Sequence, residues 1–225
     1  MKKNGFTLIE VIMAMAGGFI VMLTVAMLVQ SGHTSWRKSY DAANCDSRLD
    51  SMSSITAFGS FGRKSNKKDY YVYSVSGTGT TFTRLTPVHN PDEILTGQAV
   101  EFRYWGTDLE ADMLTPTSTA DSYALFYLDY AQPGNIKLKL DISDAHHGGA
   151  GPPAINGAGH RITGAGLNTV TLASHVTSVE FSHTTIDMAG DGKGCVRMKL
   201  IINDPADNQT KTFLAATYIR NVWPQ

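Results

Sequence analysis

From Phe6 to Val29 the sequence FTLIEVIMAMAGGFIVMLTVAMLV runs 24 residues with a single ionisable side chain, Glu10. As an α-helix it is about 36 Å long, enough to cross a hydrocarbon core with some tilt. A helix buried in a globular core is rarely apolar on every face. A conventional secretory signal has a shorter apolar region that ends in small residues at a cleavage site. The stretch therefore reads as a permanent membrane anchor. Counting charges does not orient it, because Lys2 and Lys3 precede it while Arg37 and Lys38 follow it.

The rest of the 225-residue chain has room for one globular domain. Net charge is −1 and no basic face stands out, so nothing points to nucleic acid. Cys45 and Cys195 stand 150 positions apart and form no CxxC pair, which excludes a zinc or thioredoxin-like reading of these two residues. Exported chains favour a disulfide between them; two separate buried thiols are the alternative.

Beyond the anchor, Trp36, Tyr40, Ala43, Cys45, Leu49, Met52 and Ile55 recur at spacings of three and four with charged residues between them. That pattern predicts an amphipathic continuation of the helix to about Ala57, stopped by Gly59 and Gly62. Arg63-Lys64-Ser65-Asn66-Lys67-Lys68 then reads as a solvated basic turn. From Tyr70 the period changes to two and β-branched and aromatic residues take over. Strands are expected over 70–76, 80–86, 99–105, 123–130, 136–142, 175–183, 195–203 and 211–220, forming an antiparallel sheet. Gly77-Thr78-Gly79 and Pro133-Gly134 supply turns, and so does Asp204-Pro205-Ala206-Asp207-Asn208. Residues 143–166 carry too much glycine to be core and read as a long loop.

No GxSxG, HExxH, P-loop or dinucleotide glycine pattern occurs, so catalysis has no support in the sequence. His146-His147, His160, His175 and His183 fit no standard spacing for metal ligands. Asp187 and Asp191, in Asp187-Met-Ala-Gly-Asp191-Gly192, have the acidic and glycine content of a calcium loop without the alternating oxygen ligands of an EF-hand. A plain turn between two strands is the competing reading.

The order of features at the start is the most informative. Two lysines, Gly5, Phe6 and then Thr7-Leu8-Ile9-Glu10 lead straight into the apolar run. The string KKNGFTLIEVIMA resembles the N-terminus of type IV prepilins and type II secretion pseudopilins. The resemblance covers Lys2 to Val29. It implies a cytoplasmic leader, cut after Gly5 by a prepilin peptidase that also N-methylates Phe6. It implies that Glu10 becomes the acidic fifth residue of the mature chain and pairs with the N-terminal amine of a neighbouring subunit. A carboxylate one turn into a membrane helix costs a few kcal/mol unless it is paired or neutralised, which agrees with such a role; a side chain snorkelling to the interface is the alternative. Many major pilins carry a proline late in this helix, whereas this chain has none before Pro87 and has Gly17-Gly18 instead.

The resemblance extends weakly to the J-type minor pseudopilins through the length of the chain, Val179-Glu180-Phe181, Val196 to Leu200 and Tyr218 to Asn221. It implies an α+β fold, with a long N-terminal membrane helix continuing into an antiparallel β head. The expected organisation is a leader over 1–5, a membrane helix over 6–29, an amphipathic extension over 30–58 and a periplasmic or extracellular head over 69–225. Expected partners are other pilins or pseudopilins, the prepilin peptidase, an inner-membrane assembly platform and membrane lipid, in a bacterial inner membrane. No cofactor is expected, although some pseudopilins bind calcium, which is what makes Asp187 and Asp191 candidates. The rival expectation is a membrane-tethered binding or enzymatic domain exported with a pilin-type N-terminus.

Overall fold

The structure is a computed structural model that describes residues 7–43, 46–65, 70–76, 79–85, 94–106, 120–145, 148–184, 195–204 and 209–219. The chain divides into two compact units, Met1–Cys45 and Asp46–Gln225. The architecture is α+β, with a long apolar N-terminal helix followed by antiparallel sheets.

The first unit is helix α1, Leu8–Ala43. Its Leu8–Lys38 stretch is long and apolar enough to cross a membrane, and its side chains are exposed. Its hydroxyls do not stay unsatisfied: Thr24 Oγ1 donates to Ile20 O and Thr34 Oγ1 to Gln30 O, each at 2.8 Å. Bonding back to the carbonyl four residues earlier lets such side chains sit in an apolar medium. Among the described residues of α1, nothing stands within 4 Å of where a Cβ on Gly17 or Gly18 would lie.

The second unit begins with helix α2, Asp46–Lys64. The amphipathic segment expected to end near Gly59 thus runs through Gly59 and Gly62 to Lys64, and residues 44–45 between the two helices lie outside the described residues. The face it buries also differs from the expected stripe. Leu49 and Met52 stay about two-thirds exposed, while Ser51, Ser54, Phe58, Gly62 and Ser65 turn inward. Small residues win that face because the helix approaches the strands closely. A Cβ on Gly62 would collide with the Thr217 side chain. The serines are satisfied as they go in, with Ser54 Oγ donating to Asp50 O at 2.7 Å and Ser65 Oγ to Arg103 O at 3.3 Å. Helical glycine costs about 1 kcal/mol in propensity, a cost that close packing offsets here.

Ten strands follow: β1 (Tyr70–Val75), β2 (Phe82–Arg84), β3 (Ile94–Gly97), β4 (Ala99–Tyr104), β5 (Ser122–Asp129), β6 (Lys137–Asp144), β7 (Leu167–Ala173), β8 (Val176–Thr184), β9 (Cys195–Asp204) and β10 (Gln209–Tyr218). They form two antiparallel sheets, ordered β2-β1-β4-β5-β6-β7 and β10-β9-β8-β3. The single sheet of the sequence reading is corrected by two corners. At Gln98 the chain leaves β3, paired with β8, and enters β4, paired with β1. Gly97 is required there, since a Cβ would strike the Tyr73 carbonyl. At Ser174 and His175 it passes from β7 to β8, and α2 fastens the corner: Asp50 Oδ2 accepts from Ser174 N at 2.7 Å, and Ser53 Oγ donates to Leu172 O at 2.8 Å.

The main core lies between the two sheets and α2. Val100, Phe102 and Tyr104 of β4, Ala124, Phe126 and Leu128 of β5, and Val196, Met198, Leu200 and Ile202 of β9 alternate into it, as period-two strands demand. Phe58 ties the layers together, its ring centroid 5.6 Å from Phe102, 5.9 Å from Phe126 and 5.9 Å from Phe181.

The six-stranded sheet is covered on its other face too, which is why β5 is buried at seven consecutive positions. The cover is the glycine-rich segment expected to be a loop outside the core. Ala154 is fully enclosed and Ile155 nearly so, packed with Tyr73, Phe82, Tyr123, Leu125 and Tyr127. Glycine permits this cover instead of excluding it. Gly159 holds a φ of 79° and its carbonyl accepts from the Phe82 N–H at 2.7 Å, where a Cβ would crowd the strand backbone.

Candidate functional site

Gly5 and Phe6 lie outside the described residues, which start at Thr7. The Thr7 carbonyl accepts from the N–H groups of Glu10 and Val11 at 3.0 and 3.3 Å and so opens α1. Glu10 turns back to meet it: Oε2 accepts from Thr7 N and from Thr7 Oγ1, both at 2.9 Å. This is the carboxylate half of a capping box, which satisfies an N–H that the helix leaves without a partner. The Thr-x-x-Glu spacing was visible in the sequence, but the reading that treated Glu10 only as a membrane charge passed over it. Glu10 Oε1 accepts no hydrogen bond among the described residues. A carboxylate has about four lone-pair directions, so one oxygen serves its own helix end and the other stays open to a donor from outside.

Cys195 opens β9, half-buried, with no disulfide partner among the described residues; Cys45 lies outside them. Asp187 and Asp191 also lie outside the described residues, between β8 and β9, as do His146 and His147. The other histidines are dispersed. His160 Nδ1 faces Thr80 O at 3.2 Å, His183 Nδ1 faces the Tyr70 hydroxyl at 2.7 Å, and His175 takes a φ of 54° at the corner before β8. Among the described residues no three histidine, cysteine or acidic side chains converge as a metal site would require. Arg63 and Lys64 of the basic turn belong to the last turn of α2, where positive charge suits the helix dipole.

The sequence reading missed a polar cluster under the glycine-rich cover. Glu101 is fully enclosed and accepts from the Tyr73 hydroxyl at 2.5 Å, Arg103 Nε at 2.6 Å and Ala154 N at 3.1 Å. Asp141, equally enclosed, accepts from Arg161 Nη1 at 2.8 Å, Thr169 Oγ1 at 2.7 Å and the Tyr127 hydroxyl at 3.3 Å. Burial pushes the Asp141 carboxyl up to about 6, against the Thr169 hydrogen bond and the Lys139 charge. Burial likewise raises the Tyr73 hydroxyl, reinforced by Glu101. Alternation gave no warning, because Glu101 and Asp141 stand on the strand phase opposite Val100, Phe102, Leu138 and Leu140, beside Arg103, Lys137 and Lys139, and so read as solvent-facing. Each carboxylate grips the cover, through Ala154 and Arg161, so the cluster works as a clasp. An open groove of about 580 Å³ adjoins it, lined among others by Tyr73, Arg84, Arg103 and Asn156. Both arginines stack on the Tyr71 ring, at 3.5 and 4.3 Å from its centroid.

No family model, curated protein or solved structure matches the chain. Two arrangements therefore bear on function by their own geometry. One is an exposed apolar helix with a half-engaged carboxylate at its start; the other is a clasped β unit in which Glu101 and Asp141 are committed to structure.

Proposed function

We propose that the chain is a pilin-like structural subunit, anchored by α1 in a bacterial inner membrane and assembled through it with other pilins or pseudopilins. The observation that carries this reading is Glu10, set one turn into an otherwise apolar helix with Oε2 bound to Thr7 and Oε1 open. In such an assembly the open oxygen receives the N-terminal amine of the adjoining subunit, and the cost of placing a charge in lipid becomes a drive toward correct stacking. Gly17 and Gly18, with no side chain of their own to hold a neighbour off, suit close contact between helices. Exposed Trp36, Leu49 and Met52 offer further apolar contact area. The work of the subunit is mechanical, and the head supplies lateral contacts.

The groove beside Arg84 and Arg103 favours a second reading, a tethered binding domain that shares the same anchor. Processing tests the first reading at its root. Mass spectrometry of protein extracted from membranes that contain an active prepilin peptidase should find a chain that starts at N-methylated Phe6, and Gly5→Val should block the cut. Native Met1 on the wild-type chain in such membranes contradicts the proposal.

A further inference from the structure

Strand β10 is the last strand of its sheet and pairs with β9 at all ten of its positions. Every second residue therefore points its N–H and C=O away from β9, and among the described residues no backbone group meets them. Natural edges are blunted by charge, proline or bulges. From Thr212 to Tyr218 this edge has none of these: it has no ionised side chain and no proline, and its register does not shift. The one lysine of the strand, Lys211, is held by Asp204 at 2.5 Å. The other edges are poorer templates. β2 has three residues, β3 has four, and the pairing that places β7 carries a register shift.

A groove of about 530 Å³ runs along this edge. On one side it touches four consecutive residues, Ala215 to Tyr218. Successive side chains of a strand point to opposite faces, so a cavity lined by four in a row follows the edge and not a face. On the other side it touches Ile55, Thr56, Gly59 and Arg63, a single stripe of α2. Gly59 presents no side chain, and Ala215 and Ala216 present only methyls, which leaves room for the side chains of an added strand. Arg63 closes one end. Its Nε donates to Gly59 O at 3.0 Å, it has no carboxylate partner among the described residues, and no acidic residue lines the groove.

We propose that the β10 edge takes up an extended peptide strand from another chain, with a carboxylate of that strand set against Arg63. Only another extended backbone satisfies a row of strand-edge groups together, which excludes a helix or a lipid as the occupant. The exposed side chains of Leu214 and Tyr218 lie on the outer face of the sheet and give the added strand apolar neighbours across the pairing. The inference concerns the head alone and holds whichever reading of the anchor is right.

The test uses full-length protein in detergent and three labelled peptides of alternating serine and valine. One ends in glutamate, one ends in lysine, and the third is the glutamate peptide with every amide N-methylated, so that neither edge of it can donate to a strand. The glutamate peptide should bind saturably, with an affinity at least about tenfold above the other two, and should slow amide exchange over β10 and not over β7. Gly59→Phe projects into the groove, where a Cβ meets only the tip of Arg63, and should lower the affinity about tenfold. Arg63→Glu should reverse the preference in favour of the lysine peptide and serves as the second variant if Gly59→Phe alters folding. The proposal is overturned if saturable binding is absent, if the three peptides bind alike, if β10 exchange is unchanged, or if Arg63→Glu leaves the preference as it was.

Discussion

Gly62 of α2 lies so close to Thr217 of β10 that a methyl group in place of its hydrogen would overlap the threonine side chain. Gly59, one turn earlier, would meet only the flexible tip of Arg63, at 3.7 Å. The two glycines of one helix should therefore respond in opposite directions. Gly62→Ala forces α2 away from the strand and should lower head stability by about 1–3 kcal/mol, the usual cost of overpacking. Gly59→Ala should be neutral or raise stability by up to about 1 kcal/mol through helix propensity. Chemical denaturation of both variants against wild type measures the contrast, and equal effects would show that α2 does not approach β10 as described.

The clasp between Arg161 and Asp141 gives a second prediction. Arg161→Ala leaves an enclosed carboxylate without its cation. Breaking a buried pair costs about 3–5 kcal/mol, and the 29% exposure of the Arg161 side chain places this one at or below the lower end. The loss should be local first. Limited proteolysis should cut the 148–166 segment of the variant sooner than wild type, while cleavage elsewhere in the head keeps its rate. Unchanged cleavage of that segment would deny the clasp.

The same carboxyl sets a pH dependence. Asp141 has an ordinary value of 3.8 and is pushed up to about 6 in the folded chain, because burial outweighs the Thr169 hydrogen bond and the Lys139 charge. The folded state thus holds the proton to higher pH. The stability this contributes is complete below about 3.8 and is lost as pH rises through about 6. Thermal melts of wild type and Asp141→Asn across that window should show wild type losing stability relative to the variant as pH increases. Parallel curves would contradict the shift.

The strand pattern was largely legible in the sequence because β9 and β10 alternate cleanly and Pro133-Gly134 marks its own turn. The two corners were not. Gln98 and Ser174 are unremarkable residues, and the turn from one sheet to the other is dictated by Gly97 crossing Tyr73 and by Asp50 reaching Ser174. Strands β3 and β7 escaped notice for the same reason: their sides are set by the partner strands, not by their own weak alternation. The inward face of α2 was misjudged because hydrophobic periodicity rewards Leu49 and Met52, whereas close approach rewards Ser51, Ser54 and Gly62. The glycine-rich cover was discounted by composition, although its glycines are what let it lie against β2. At the anchor the apolar run and the lone Glu10 were plain, but the division of the carboxylate between Thr7 and an open side needed coordinates.

That division permits the most direct test of the assembly proposal. Glu10→Gln keeps an amide oxygen able to accept from Thr7 but removes the charge, while Glu10→Ala removes both. Incorporation into filaments or pilin complexes is measured by cross-linking and co-purification at equal membrane levels of each form. If the open oxygen receives a neighbour's amine, the two variants should fail to a similar degree, with membrane insertion and head folding intact. Wild-type incorporation of Glu10→Gln would contradict the account and leave Glu10 as no more than the cap of its own helix.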